Sequence, residues 1–294
     1  MISLTYKENV EAYIGNNLGI LEDSLDKAAQ KHLKLKAKKK SLDFGQALTP
    51  ENLYQTSLKS ISKTRGFLEI NKTIDIHMSM FSSLEQFKRS LRVAAGTFAI
   101  SGLIQSIGGL TFRGLMISGM LGVWFGAGTF VFAMQDYATS SYNPDDDHIR
   151  IGAQNTVNAA GAVAHEYTHC LQHNFTSIDV TTRNPIVEGH ARGLEGIVSE
   201  RFAQESNNEA YVFVHSQRVA QELKDAYLYA CGKKNVTPKK SLEKLPIRNV
   251  RGWLSSYAGH HYSIGVAAMT LASAKYGDNV YKDVMKNDFN FLKT

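Results

Sequence analysis

The segment His165-Glu166-Tyr167-Thr168-His169 constrains this chain more than any other. Two histidines four residues apart share a face only on an α-helix, where such neighbours lie about 5–6 Å apart. Both imidazoles can then reach one zinc ion at roughly 2.0–2.1 Å. The motif therefore predicts a helix over about 157–173, and Val157, Ala160, Val163 and Leu171 supply the apolar faces that set it in a core. Glu166 falls beside the ion without ligating it, where a carboxylate can take a proton from water. The spacing divides the roles: His165 and His169 as ligands, Glu166 as general base. A pair of ordinary surface histidines is the plain alternative.

A catalytic zinc keeps one position open to water, so a third protein ligand is expected. Glu188 follows His169 after eighteen intervening residues. That interval lets the first helix end, a loop with Asn184-Pro185 turn back, and a helix over about 186–203 present its first turn to the metal. Glu195 lies seven positions further on, on the same helix face as Glu188. It is a candidate acceptor for the second N–H of a ligating histidine, with a salt-bridged surface acid as the alternative. His173 continues the four-residue series, but helical drift carries it past the rotation that faces the ion.

These residues carry a resemblance. The HExxH segment, the eighteen-residue interval, and Glu188-Gly189-His190-Ala191 with Glu195 resemble the gluzincin active site, most closely that of the aminopeptidase N family. Asn174, five positions after His169, stands where that family has an asparagine. Tyr262-Ser263-Ile264-Gly265 is similar to the family's Tyr-x-Lys-Gly segment, whose tyrosine stabilises the tetrahedral oxyanion. The resemblance implies that role for Tyr262, with Tyr257, His260 and His261 as neighbours able to replace it. A core or interface tyrosine is the other reading.

The match runs over roughly residues 148–275 and implies a zincin-like catalytic domain, one Zn2+ ion and a peptide or protein substrate. It departs from the family in two places. Ile264 replaces the lysine, and Ala133-Met134-Gln135-Asp136 is only a faint echo of the Gly-x-Met-Glu-Asn motif that anchors the substrate amine. Endopeptidase and aminopeptidase action therefore both stand.

The rest of the chain reads as mainly helical with little sheet, an α+β class. Polar helical sequence runs from about 7 to 40. Thr49-Pro50-Glu51 reads as a cap opening a helix over about 50–64, and Ser82 with Glu85 has the capping-box pattern for another. The alternation in His148-Ile149-Arg150-Ile151-Gly152 predicts one half-buried strand. Further helices are expected over about 208–231, closed by Gly232, and over about 251–287.

Between these parts lies a change of composition. Val93–Phe112 and Gly114–Gln135 carry no charge, and each would reach about 30 Å as a helix, the thickness of a bilayer core. Ser118, Gly122 and Gly126 suit close helix contacts. Two spanning helices, one, or a buried glycine-rich core with strands near Thr129–Met134 are the readings. This divides the chain into an N-terminal helical region (1–92), a hydrophobic glycine-rich segment (93–135) and the catalytic domain (136–294).

If both stretches span, Lys88, Arg89 and Arg92 hold the flanks, and with them the catalytic domain, on the cytosolic side. Should only the second span, the C-terminal half lies outside. The first thirty residues carry acids and no apolar block of signal length, so the expected location is intracellular, with membrane association through 93–135. Cys170 and Cys231 are too few for a disulfide framework.

The net charge of +6 is concentrated in Lys31, Lys34, Lys36, Lys38, Lys39 and Lys40. Without interleaved aromatics this run reads as a solvated helix end, and no specific nucleic acid is expected as a partner. Two functions compete: a zinc peptidase with Glu166 as base, and a membrane-inserting or scaffold protein whose zincin site is structural or degenerate.

Overall fold

Leu21, Leu25, Ala29, His32 and Leu35 recur at three- and four-residue intervals, and this stripe gives the helix Leu18–Ala37 a single buried face. The computed structural model describes residues 2–80, 140–153, 155–180, 184–237 and 261–293. In it this helix is α2, preceded by α1 (Ile2–Asn16). The polar helical stretch thus breaks at Asn17, whose Nδ2 donates back to the Tyr13 carbonyl at 2.7 Å.

Helix α3 (Pro50–Leu68) opens at the expected Thr49. Its hydroxyl accepts from the Asn52 N–H while the Asn52 side chain accepts from the Thr49 N–H, so two orphan donors are satisfied together. Then follow α4 (Thr156–Phe175), α5 (Pro185–Ser206), α6 (Ala210–Lys234), α7 (His261–Tyr276) and α8 (Asn279–Met285). Helix α6 runs on through Gly232, the expected stop. It closes instead at Asn235, whose φ of 53° is the left-handed conformation that ends helices.

Three strands form the sheet: β1 (His77–Met80), β2 (Ser141–Asn143) and β3 (His148–Ile151), in the order β1-β3-β2. The predicted strand is β3, with Ile149 and Ile151 buried and Arg150 exposed. Its two partners were not legible in advance. β1 pairs parallel with His77 opposite His148, and β2 antiparallel with Tyr142 opposite Ile149.

Helix α4 lies at the centre, every residue from Val163 to Gln172 being buried. Helices α3 and α5 pack on α4, α7 lies against α5, and α2 packs on α6. One apolar cluster joins Val10, Leu25 and Leu53 to Leu171, Leu223 and Met269. Among the described residues, then, the regions expected at 1–92 and 136–294 share a core.

Lys31 pairs with Glu200 at 2.6 Å and Lys38 with Glu209 at 3.0 Å, so part of the lysine run ties α2 to α5 and to the start of α6. Cys170 and Cys231 are buried free thiols. No helix among the described residues is long and apolar enough to cross a membrane. The stretch 93–135, the Ser82–Glu85 cap, the Ala133–Asp136 echo, Tyr257 and His260 lie outside the described residues.

Candidate metal centre

Asn155 caps α4 by accepting from the Asn158 N–H at 2.9 Å, and the helix then carries His165 and His169 on one face. Their ring centroids are 4.8 Å apart and the rings nearly perpendicular, at 87°. On the facing helix, the Asn184 side chain accepts from the Ile186 N–H and Pro185 occupies the first helical position. This start places Glu188 in the first turn of α5, where the unpaired N–H groups favour a carboxylate.

The three side chains converge. His165 Nε2 and His169 Nε2 are 3.2 Å apart, and Glu188 Oε2 lies 3.4 Å from the first and 3.7 Å from the second. A tetrahedral ion with bonds of about 2.05 Å has ligand atoms about 3.3 Å apart, so the triangle has the size of one tetrahedral face. Atoms at these separations share a point about 2.0 Å from each of them. A lone hydrogen bond between two rings would not need the carboxylate oxygen at the same spacing.

The charges agree with the geometry. Glu188 Oε2 is buried and faces both rings. Burial works against the Glu188 charge, but the two imidazoles outweigh it and hold the carboxyl well below its ordinary range. Burial likewise opposes a proton on His165, and hydrogen bonding to Glu188 and Glu195 overcomes this to raise its pKa to about 9. A cation would take the place of that proton. Glu166 is buried beside them, and desolvation pushes its pKa up against the lowering effect of the two rings. Among the described residues neither Glu166 nor Glu188 pairs with a lysine or arginine. Arg192 acts on both carboxylates only through its charge, without pairing, and two carboxylates beside two imidazoles suit a divalent ion. The residues present therefore fit zinc.

The surroundings hold this set in place. Glu195, only 1% exposed, lies with Oε2 3.5 Å from His165 Nδ1, the position expected of an acceptor behind that ligand. Arg192 donates to Glu195 and lies against Glu222, while Arg218 reaches Glu195 at 3.3 Å. Gly161 on α4 admits the Glu195 side chain, since a Cβ there would sit 3.3 Å from its Cγ and Oε1.

Tyr262 arrives from the far end of the chain through another close contact. A Cβ on Gly265 would lie 1.8 Å from the Pro185 carbonyl oxygen, and one on Gly189 would lie 2.1 Å from the Gly265 oxygen. Only two glycines let the backbones of α5 and α7 cross this closely, and the crossing sets Tyr262 beside Glu188. Partial burial raises the Tyr262 phenol first. The charge of Glu188, a hydrogen bond to it, and the charge of Glu166 raise it further, which keeps the hydroxyl a proton donor.

Other sequence candidates fall away from the triangle. Asn174 donates to Asp147 Oδ1 and to the Cys170 carbonyl, both at 3.0 Å, and His173 is exposed beside the Tyr142 ring. The sequence reading missed Gln172, Arg192 and His215, and it left His190 without a role. Helical spacing could have found two of them. Gln172 is three residues from His169, and Arg192 is four from Glu188 and three from Glu195. His215, whose Nδ1 lies 3.7 Å from Glu195 Oε1, comes from α6 and carries no local signal. Comparison of the chain with protein-family models, with curated proteins and with solved structures finds no match.

Proposed function

We propose that this chain is a zinc-dependent peptidase, hydrolysing peptide bonds with Glu166 as general base and Tyr262 as donor to the developing oxyanion. The observation that carries the reading is the triangle of His165, His169 and Glu188 at tetrahedral spacing, with a buried carboxylate one residue from the first ligand. Zinc held there would supply Lewis acidity toward a peptide carbonyl and toward water.

The chain's own groups supply the proton traffic. Desolvation makes Glu166 a stronger base than a surface carboxylate, suited to accept a proton from the attacking water and return it to the leaving amine. Tyr262 is 41% exposed, so it faces solvent and any substrate from the rim. Its protonated hydroxyl supports a role as donor to developing negative charge. Glu195 and the arginines behind it hold the His165 ring so that Nε2 faces the triangle.

The test is a peptide-library digest by the zinc-loaded full chain, read by mass spectrometry, beside Glu166→Gln. Wild type is expected to cleave. The variant is expected to lose on the order of 10²- to 10⁴-fold in rate while binding zinc as before, because the glutamate acts on the proton and not on the metal. A zinc-loaded wild type that cuts no peptide, as a structural site predicts, or a fully active Glu166→Gln, overturns the assignment.

A further inference from the structure

The polar groups behind His169 admit one arrangement of protons. Gln172 is fully buried, with Nε2 3.1 Å from the Val187 carbonyl oxygen and 2.9 Å from His190 Nδ1. Its Oε1 is 2.9 Å from His169 Nδ1. His190 is also fully buried, and its Nε2 lies 2.9 Å from the Tyr281 carbonyl oxygen. Backbone carbonyls only accept, and this fixes both ends of the chain of contacts.

The Tyr281 oxygen requires a proton on His190 Nε2. The Val187 oxygen requires that the Gln172 atom facing it be the amide nitrogen, and the second proton of that nitrogen points at His190 Nδ1. His190 Nδ1 is therefore a lone pair, and the ring is neutral. The remaining end of Gln172 is then oxygen, which also only accepts, so His169 Nδ1 carries a proton. In a neutral imidazole this leaves the lone pair on His169 Nε2, the atom 3.2 Å from His165 Nε2 and 3.7 Å from Glu188 Oε2.

We propose that Gln172 and His190 are positioning residues of the metal centre: a relay from the Tyr281 carbonyl through His190 and Gln172 locks His169 in the tautomer that presents Nε2 to the ion. The inference rests on the metal-centre reading above and not on peptide hydrolysis. An imidazole without such partners can carry its proton on either nitrogen, and the fraction protonated at Nε2 cannot ligate. Both relay residues are rigidly set. Gln172 sits on the ligand-bearing helix, and His190 sits on α5 two residues from Glu188, so the same helix pair that assembles the ligands assembles the relay. The Tyr281 carbonyl anchors it from α8.

Two measurements on the full chain test the relay. Long-range ¹⁵N–¹H correlation spectra of the metal-free wild type are expected to show His169 protonated at Nδ1 and His190 at Nε2. In Gln172→Leu and His190→Phe, His169 is expected to become a mixture of tautomers, which a merely structural role would not produce. Chelator competition is expected to give Gln172→Leu a zinc affinity about 10- to 100-fold weaker than wild type, the range for removing a partner behind a metal ligand. His169 found protonated at Nε2 in the wild type overturns the proposal, and that measurement needs no variant to fold. Wild-type zinc affinity in a folded Gln172→Leu overturns it as well. A wild type that binds zinc with the expected tautomers yet cuts no peptide overturns the peptidase reading and supports the relay. A wild type that takes up no zinc overturns the metal centre and the relay's role with it.

Discussion

Gly265→Ala separates the two helices whose crossing sets Tyr262 beside Glu188. The new methyl carbon would lie 1.8 Å from the Pro185 carbonyl oxygen and 2.7 Å from its carbon, both backbone atoms that cannot swing aside. Relief to about 3.0 Å requires α5 and α7 to part by at least about 1.2 Å where they cross. Overpacking of this kind costs typically about 1–3 kcal/mol, occasionally more, which for a chain of this size lowers the melting midpoint by roughly 2–5 °C. Helix α5 is also held by α4 and by the buried Glu195 network, so the first turns of α7 yield more readily. Tyr262 then moves away while the three ligands stay together. A displacement near 1 Å at a reacting group can cost on the order of 10²-fold in rate. The expected result is a lower melting midpoint, a kcat/KM reduced about 100-fold, and zinc affinity changed far less. Gly189→Ala presses on the same crossing from the other side, at 2.1 Å from the Gly265 oxygen. The two substitutions relieve one strain together, so the double variant should lose less stability than the sum of the singles, by about 0.5–3 kcal/mol. Thermal melts and urea titrations of the four proteins measure this. A Gly265→Ala protein that melts with the wild type and cleaves at its rate refutes the argument.

Zinc at a thousandfold excess over its Kd should stabilise the folded chain by about 4 kcal/mol, seen as a rise in melting midpoint that a chelator reverses. His165→Ala should show no rise, and an equal rise in that variant places the ion elsewhere. His190 makes stability depend on pH. Burial lowers its folded pKa to about 4, against the raising effect of the Tyr281 carbonyl. An unfolded histidine titrates near about 6.5, so between these values the unfolded chain binds a proton that the native one refuses. The contribution of the neutral ring is whole above pH 6.5 and is lost as pH falls toward 4, by about 3 kcal/mol. Urea titrations of the zinc-free wild type should therefore lose more stability between pH 7 and 4.5 than those of His190→Phe. Equal losses in the two proteins contradict the assignment.

What could be read without coordinates is what helical geometry makes local. His165, Glu166 and His169 depend on a four-residue repeat, and Thr49 on a cap whose partner lies three residues away. The strand at His148–Ile151 shows itself by alternation, because one face is buried and the other wet. Glu188 entered through its interval and a family resemblance, and the structure brings it within 3.7 Å of both rings.

The remainder depends on contacts between distant segments, for which no spacing rule exists. The parallel pairing of His77–Met80 with His148–Ile151 joins strands far apart in the chain. The arrival of Tyr262 depends on Gly189 and Gly265, which show their use only once two helices cross. Gln172 reads as an ordinary polar residue until Val187 and His190 close around it and every proton it shares acquires one place to go. Sequence alone thus determined which side chains could act together along one helix. Tertiary packing decided which residues meet them from elsewhere, because burial, and the matching of each buried donor to an acceptor, is a property of the assembled core and not of any single segment.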